Sequence, residues 1–148
     1  MTQRNFDIVN DSLVIIPTYN ERENVVRMLD TVMHLEFPFD VLVVDDGSPD
    51  GTAALVKECQ AKHPERIHLL EREGKLGLGT AYIAGFRWAL QRGYDFVFEM
   101  DCDFSHDPQD LVRLRIPCAE GGAGMSVGSR YVKGLSLIHI SEPTRQDR

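Results

Sequence analysis

Four short apolar runs alternate along the chain with segments of helical periodicity, and each run stops at proline or at acidic residues. Leu13–Ile16 is apolar at every position and closes at Pro17, the pattern of a strand buried on both faces. Asn20 with Glu23 three residues later reads as a capping box, after which Val25, Met28, Leu29, Val32 and Met33 recur at helical spacing. Asp40–Val44 is a second buried strand, halted by the acidic turn from Asp45 to Gly51. Thr52–Lys62 reads as a helix with Ala54, Leu55 and Cys59 inward, and Ile67–Leu70 as a weaker third strand. The glycine-rich stretch from Glu73 to Gly79 leads into a helix from about Thr80 to Gln91, with Tyr82, Ile83, Phe86, Ala89 and Leu90 apolar and Gly93 beyond its end. A fourth run, Phe96–Met100, ends abruptly in Asp101-Cys102-Asp103. Asp107 and Pro108 then predict a cap and first position for a short helix to about Arg115, and Met125–Gly128 a fifth strand leading to Ser129, Arg130 and Tyr131.

This alternation predicts an α/β fold with a mostly parallel sheet and helices on both faces. Ligands of such sheets bind beyond the carboxyl ends of the strands, where the strand order reverses. Three of the four strands end in polar clusters, Pro17 to Glu21, Asp45 to Asp46 and Asp101 to Asp103, so the chemistry should converge on one edge. The third strand, followed by Glu71 and Arg72, has no comparable acidic cluster at its end, which suits a peripheral position. The stretch 135–148 continues none of this pattern and resembles translated adapter sequence, so it is set aside as a non-native tail; an edge strand with a polar terminus is the alternative.

Length changes this picture little: 148 residues make one ordinary domain, here 1–134. The net charge of −7 argues against a nucleic-acid partner held on a basic surface. Three cysteines, Cys59, Cys102 and Cys118, form no C-x-x-C, so neither a disulfide framework nor a zinc ribbon is indicated. No stretch approaches the ~20 apolar residues that span a bilayer. A cytoplasmic protein is expected, with contact at the cytosolic face of a membrane left open.

Two carboxylates at the mouth of a buried strand would each cost several kcal/mol to bury unpaired, so a positive partner belongs beside Asp101 and Asp103. A hard divalent cation fits, since Mg²⁺ takes one or two carboxylates together with substrate phosphates. Capping of the following helix or pairing with arginines is the rival reading. Asp107 is read as that cap. Three other motifs fail: Tyr82 stands where a dinucleotide fingerprint needs its third glycine, and Gly74-Lys75 lacks the remainder of a P-loop. The series Asp101, Asp103, Ser105, Asp107 mimics a calcium loop but carries His106 and Val112 at the positions that need glycine and glutamate. Asp45-Asp46 on its own is common turn chemistry; at the end of a buried strand it points to a nucleoside site, with Pro17 and Tyr19 offering a flat surface and Glu21 an acceptor. Helix entry geometry is the rival for those three. Arg130, after a glycine-serine turn, could contact phosphate or form a surface ion pair. Cys102 and Trp88 read as packing residues, and His106 as a polar loop residue.

Taken together, PTYNE (Pro17–Glu21), VVDDGSPDGT (Val43–Thr52), GLGTAY (Gly77–Tyr82), MDCDFSHDP (Met100–Pro108) and GSRY (Gly128–Tyr131) resemble the family 2 inverting glycosyltransferases, specifically the dolichol-phosphate or polyprenol-phosphate mannosyltransferases. The resemblance covers about residues 12 to 134. It implies a GT-A (Rossmann-like) fold, GDP-mannose as donor, Mg²⁺ or Mn²⁺ as cofactor, and a dolichyl or polyprenyl phosphate acceptor at a membrane surface. By motif position, Pro17, Tyr19, Glu21, Val44 and Asp46 would hold the guanosine. Asp101, Cys102 and Asp103 would form a D-x-D element at metal, diphosphate and mannose. Ser105 stands where some relatives use glutamine as a metal ligand, and a hydroxyl is the shorter, poorer ligand. Arg130 would lie near the phosphates, and Asp101, Asp103 and Arg130 would carry the catalytic role.

Catalytic domains of that family continue well past the GSRY block. The resemblance therefore implies a fold incomplete at its C-terminus, with the donor half present and apolar surface exposed where the remainder would sit. A membrane-anchoring segment or subunit outside this chain is compatible with it. Two alternatives stay open: another family 2 enzyme using a UDP-sugar, and, from a different class, a receiver-like phospho-signalling module built on the acidic strand ends.

Overall fold

A computed structural model describes residues 11–74, 76–129 and 136–141, with side chains described through residue 124 apart from Lys75. The chain divides into two compact units, residues 1–105 and 106–148.

The first unit is built on a four-stranded parallel sheet, β1 (Ser12–Thr18), β2 (Asp40–Asp45), β3 (Ile67–Glu71) and β4 (Phe96–Glu99), in the order β3-β2-β1-β4. All six residues of β2 are buried, as are Leu13, Val14, Ile15 and Ile16 of β1, which is why these runs carry no polar alternation. Register pairs Ile15 with Leu42 and with Glu99, and Pro17 with Val44. Pro17 therefore lies inside the strand rather than closing it. β3 stands at one edge, as its weaker apolar character predicts, and half-exposed β4 stands at the other.

The helices α1 (Val25–Met33), α2 (Thr52–Lys62) and α3 (Leu78–Arg92) connect successive strands. α3 packs on β1 and β2 and covers Leu13, Ile15, Leu42 and Val44. α1 and α2 pack on each other and on β2 and β3, over the alternate residues of the sheet. There Phe39 makes edge-to-face contacts with Phe37 and Phe98, at centroid distances of 5.2 and 5.3 Å.

Two helical expectations are corrected. Asn20 does not cap a helix: it takes a left-handed φ of 56°, its N–H is donated to Ser48 Oγ, and the helix begins at Val25. In α2 the buried residues are Thr52 and Val56, while Ala54 is exposed and Leu55 and Cys59 are half-buried. In α3 the inward residues are the small ones, Ala81, Gly85 and Ala89, and Ile83, Phe86 and Leu90 face outward. Close approach is the reason: a Cβ on Gly85 would lie 2.7 Å from Ile15 Cγ2 and 2.8 Å from its Cδ1. Gly85→Val should therefore overpack the interface and lower stability by about 1–3 kcal/mol. An unchanged denaturant midpoint would mean that Ile15 can yield. Trp88 packs, as expected, tilted against His68 and stacked on Tyr94, with the Arg92 guanidinium 3.8 Å from its ring centroid.

The second unit contains α4 (Asp110–Ala119), which packs on β5 (Ala123–Ser129). β5 pairs antiparallel with β6 (Ser136–Ser141) in a separate two-stranded sheet. β5 is the expected fifth strand, but it is not a member of the parallel sheet. Asp107 Oδ1 accepts the Gln109 N–H at 3.0 Å, so it serves the helix entry three residues ahead of the first helical residue, Asp110. The helix runs four residues past Arg115, through Pro117.

Candidate nucleotide and metal site

With β1 flanked by β2 and β4, the connections run outward to β3 on one side and then return to β4 on the other. The strand order thus reverses between β1 and β4, and the crevice beyond their carboxyl ends is where a ligand of such a sheet binds. Pro17–Glu21 follow β1 and Asp101–Asp103 follow β4 at that point, while Asp45-Asp46 sit next door at the end of β2. A receiver-type sheet has β1 between β2 and β3 instead. The observed order therefore corrects that alternative.

The two adjacent acids have different work. Asp45 is 1% exposed and its carboxylate is consumed by the turn: Oδ1 accepts from Thr18 Oγ1 at 2.6 Å and Ser48 Oγ at 2.7 Å, and Oδ2 from Ser48 N at 3.0 Å. Asp46 engages Arg72 in a two-pronged ion pair, Nε to Oδ1 at 2.7 Å and Nη2 to Oδ2 at 3.0 Å. Leu76 N donates to Asp46 Oδ2 at 3.3 Å.

The loop after β1 is tied to the loop after β2. Asn20 N donates to Ser48 Oγ, Glu21 N to Thr52 Oγ1 at 3.0 Å, and Arg22 N to Asp50 Oδ2 at 3.1 Å. The Thr52 hydroxyl in turn donates to Asp50 Oδ1, and those bonds hold the Asp50 carboxyl below its usual range. Tyr19 is 37% exposed in the same loop. The Glu21 carboxylate accepts from Asn24 Nδ2 at 3.1 Å. Val44 is fully buried, its side chain in the core under α3, so it anchors the strand end.

Beyond β4, Met100 N donates to Ile15 O at 3.2 Å and extends the ladder up to the acids. Asp101 and Asp103 are exposed and Cys102 between them is 1% exposed, so its side chain points into the protein. Burial, reinforced by Glu21, Asp103 and Asp101, pushes the Cys102 thiol up to about 12. It is a neutral packing group there, and main chain is what it can offer a ligand. Tyr82 of α3 donates its hydroxyl to Asp101 Oδ1 at 3.4 Å, and burial followed by the Asp101 charge raises the phenol well above its ordinary value. Asp103 Oδ1 accepts the Ser105 N–H at 3.0 Å. Between them Phe104 takes a left-handed φ of 63°, unusual for a bulky residue, with the Arg27 guanidinium 4.0 Å from its ring centroid. Arg130 and Tyr131 lie outside the described residues.

Among the described residues no three histidine, cysteine or acidic side chains converge as a closed metal cage. A Mg²⁺-type site does not need one, because water and substrate phosphates supply most of its ligands. Two exposed carboxylates one residue apart are hard oxygen donors of the right kind. Ser105 is exposed beside them, with its main-chain N–H committed to Asp103.

Sequence reasoning missed Arg72, Thr80 and Tyr82 as site residues. Arg72 follows β3, whose Glu71 pairs with Asp45, so the strand order would have brought it beside Asp46.

Fold and strand-end chemistry together define an α/β domain of the GT-A kind. Residues 13–146 match Glycosyl transferase family 2, and the chain belongs to that family. It is 52% identical over 123 residues to the polyprenol monophosphomannose synthase of Mycolicibacterium smegmatis, covering 83% of this chain and 46% of that protein. It is 48% identical over 127 residues to the undecaprenyl-phosphate mannosyltransferase of Micrococcus luteus, covering 86% of this chain and 51% of that one. Among solved structures, the mannosyltransferase PcManGT from Pyrobaculum calidifontis, in complex with GDP-Man and Mn²⁺, superposes with a TM-score of 0.67 at 28% identity. That match covers 77% of this chain and 34% of PcManGT. The chain spans about half the length of the two curated relatives it matches here.

Proposed function

We propose that this chain carries the donor-binding half of a metal-dependent, inverting mannosyltransferase that moves mannose from GDP-mannose to a polyprenyl or dolichyl phosphate. The observation that carries the reading is the meeting of Tyr19–Glu21, Asp46 and the Asp101/Asp103 pair around the switch point of the sheet in a family 2 chain. The names of the relatives and the GDP-Man and Mn²⁺ of PcManGT support the donor, the acceptor class and the metal.

In this reading Pro17, Tyr19, Glu21 and Asp46 hold the guanosine, while Val44 fixes the strand end behind them. Asp101 and Asp103 form the D-x-D element that would hold Mg²⁺ or Mn²⁺, with Ser105 a weaker oxygen beside them and Cys102 contributing main chain. The metal supplies charge neutralisation for the departing diphosphate. Tyr82 orients Asp101, and Asp103 is oriented by the Ser105 amide. Arg130 is assigned to the phosphates from its GSRY position. An acceptor phosphate oxygen attacks the anomeric carbon from the face opposite GDP; its bond to carbon forms as the bond to the β-phosphate oxygen breaks, and that electron pair leaves with GDP. No side chain needs to remove a proton, because a phosphate monoester is already largely anionic near neutral pH.

No helix among the described residues is long and apolar enough to cross a membrane. A lipid acceptor calls for a membrane surface, so the chain is assigned to the cytosolic face, peripherally or through an anchoring segment or subunit outside it. Titration calorimetry with GDP, UDP and GDP-mannose, with and without Mn²⁺, tests the proposal. Tighter binding of GDP than UDP, strengthened by Mn²⁺, is expected. UDP outcompeting GDP would select a UDP-sugar enzyme of the same family, and no nucleotide binding at all would overturn the reading.

A further inference from the structure

The Arg72 guanidinium is the most heavily engaged cation among the described residues of the site. Its side chain is 12% exposed and that of Asp46 8%. Beyond its two bonds to Asp46, Nη1 donates to Thr80 Oγ1 at 3.1 Å and Nη2 to Gly77 O at 3.3 Å. Its main chain is held as well, with Arg72 N donating to Asp45 O at 2.8 Å. The Thr80 hydroxyl lies 3.0 Å from Leu76 O and 2.9 Å from Gly77 O, so it closes the turn that starts α3. The loop after β2 presses against the same stretch: a Cβ on Gly47, at φ 68°, would lie 2.9 Å from Gly74 N.

One side chain thus joins the end of β2, the end of β3 and the glycine-rich entry to α3. We infer that Arg72 is a positioning residue of the nucleotide site, acting through Asp46. It holds the Asp46 carboxylate in a single orientation and ties the start of α3 to it through Gly77 and Thr80. The inference rests on the reading above that Asp46 contacts the nucleoside. A guanidinium fork is suited to this, since it can grip both carboxylate oxygens while its remaining N–H groups bond the loop; an ammonium cannot do both.

The test is GDP affinity by calorimetry in the presence of Mn²⁺ for wild type, Arg72→Gln, Arg72→Lys, Asp46→Asn and the double variant Arg72→Gln/Asp46→Asn. Arg72→Gln should weaken GDP by about ten- to a hundredfold, the scale of losing charge-assisted hydrogen bonds that orient a ligand group. Arg72→Lys should recover part of that loss. In the Asp46→Asn background, Arg72→Gln should have little further effect, because the two act as one unit. A merely structural arginine would give losses that multiply, with no rescue by lysine. Wild-type-like GDP binding by Arg72→Gln, or multiplying losses, would overturn the inference while leaving the functional reading standing. Failure of the wild-type chain to bind GDP would overturn that reading, and the inference with it. Should Arg72→Gln fail to melt cooperatively, the lysine variant decides: unchanged affinity there, with the fork gone, would overturn the positioning role.

Discussion

Asp103→Ala is expected to abolish the strengthening of GDP binding by Mn²⁺ while leaving the fold intact. Asp103 is exposed in the loop that follows β4, where its carboxylate accepts the Ser105 amide. As a substitution at an exposed loop position, it should leave the unfolding free energy within the range of a surface change, about 0.5 kcal/mol. The ligand set would fall from two carboxylates to one. Losing even an outer-shell partner typically costs 10–100-fold in metal affinity, so a direct ligand should cost at least about 100-fold. Asp101→Ala should behave similarly, and Tyr82→Phe more weakly, because the phenol orients Asp101 without replacing it. Calorimetric titration of Mn²⁺ into the GDP-saturated protein measures all three. Persistence of the Mn²⁺ effect in Asp103→Ala would remove the D-x-D assignment.

The second large effect is expected at Asp45, and on stability rather than on ligand binding. Three donors, the Thr18 hydroxyl, the Ser48 hydroxyl and the Ser48 amide, converge on a carboxylate that is 1% exposed. Asp45→Ala would leave them without their acceptor, and hydrogen bonds to a charged group are worth about 1.5–3 kcal/mol each. A loss of about 3–5 kcal/mol is therefore expected from denaturant unfolding, with water entering the cavity recovering part of the total. Asp46→Asn, next in the chain, should show the opposite balance: a smaller stability loss and a clear loss of GDP affinity. Equal effects of the two substitutions on both quantities would contradict the separation of roles.

Much of the parallel sheet could be read from periodicity. Strands buried on both faces need apolar residues at every position, so Leu13–Ile16 and Val41–Val44 announced themselves, and Ile67–Leu70 fell within a residue of its observed bounds. Helix faces were harder. In α3 the outward residues are the large apolar ones, and the inward face is built from Ala81, Gly85 and Ala89 because the helix lies so close to Ile15. Size, not polarity, decided that face. Asn20 was misread for a related reason: its backbone serves the neighbouring loop through Ser48, a partner 28 residues away, and a local capping pattern contains no trace of that.

The Asp101-Cys102-Asp103 element stands out within a single segment because two acids directly follow an apolar run; the structure leaves both acids exposed, so burial is not what calls for a positive partner beside them. The sequence by itself determined the alternation of strands and helices, the polar strand ends, and the resemblance that places the chain among family 2 glycosyltransferases. What only the tertiary structure decided is the division of labour between Asp45 and Asp46, the inward turn of Cys102, and the place of Arg72 and Tyr82. Arg72 meets a carboxylate 26 residues away and Tyr82 one 19 residues away. Strand order and register create those meetings, and the periodicity of one segment reports only on which of its own faces is buried, never on what the neighbouring element brings to meet it.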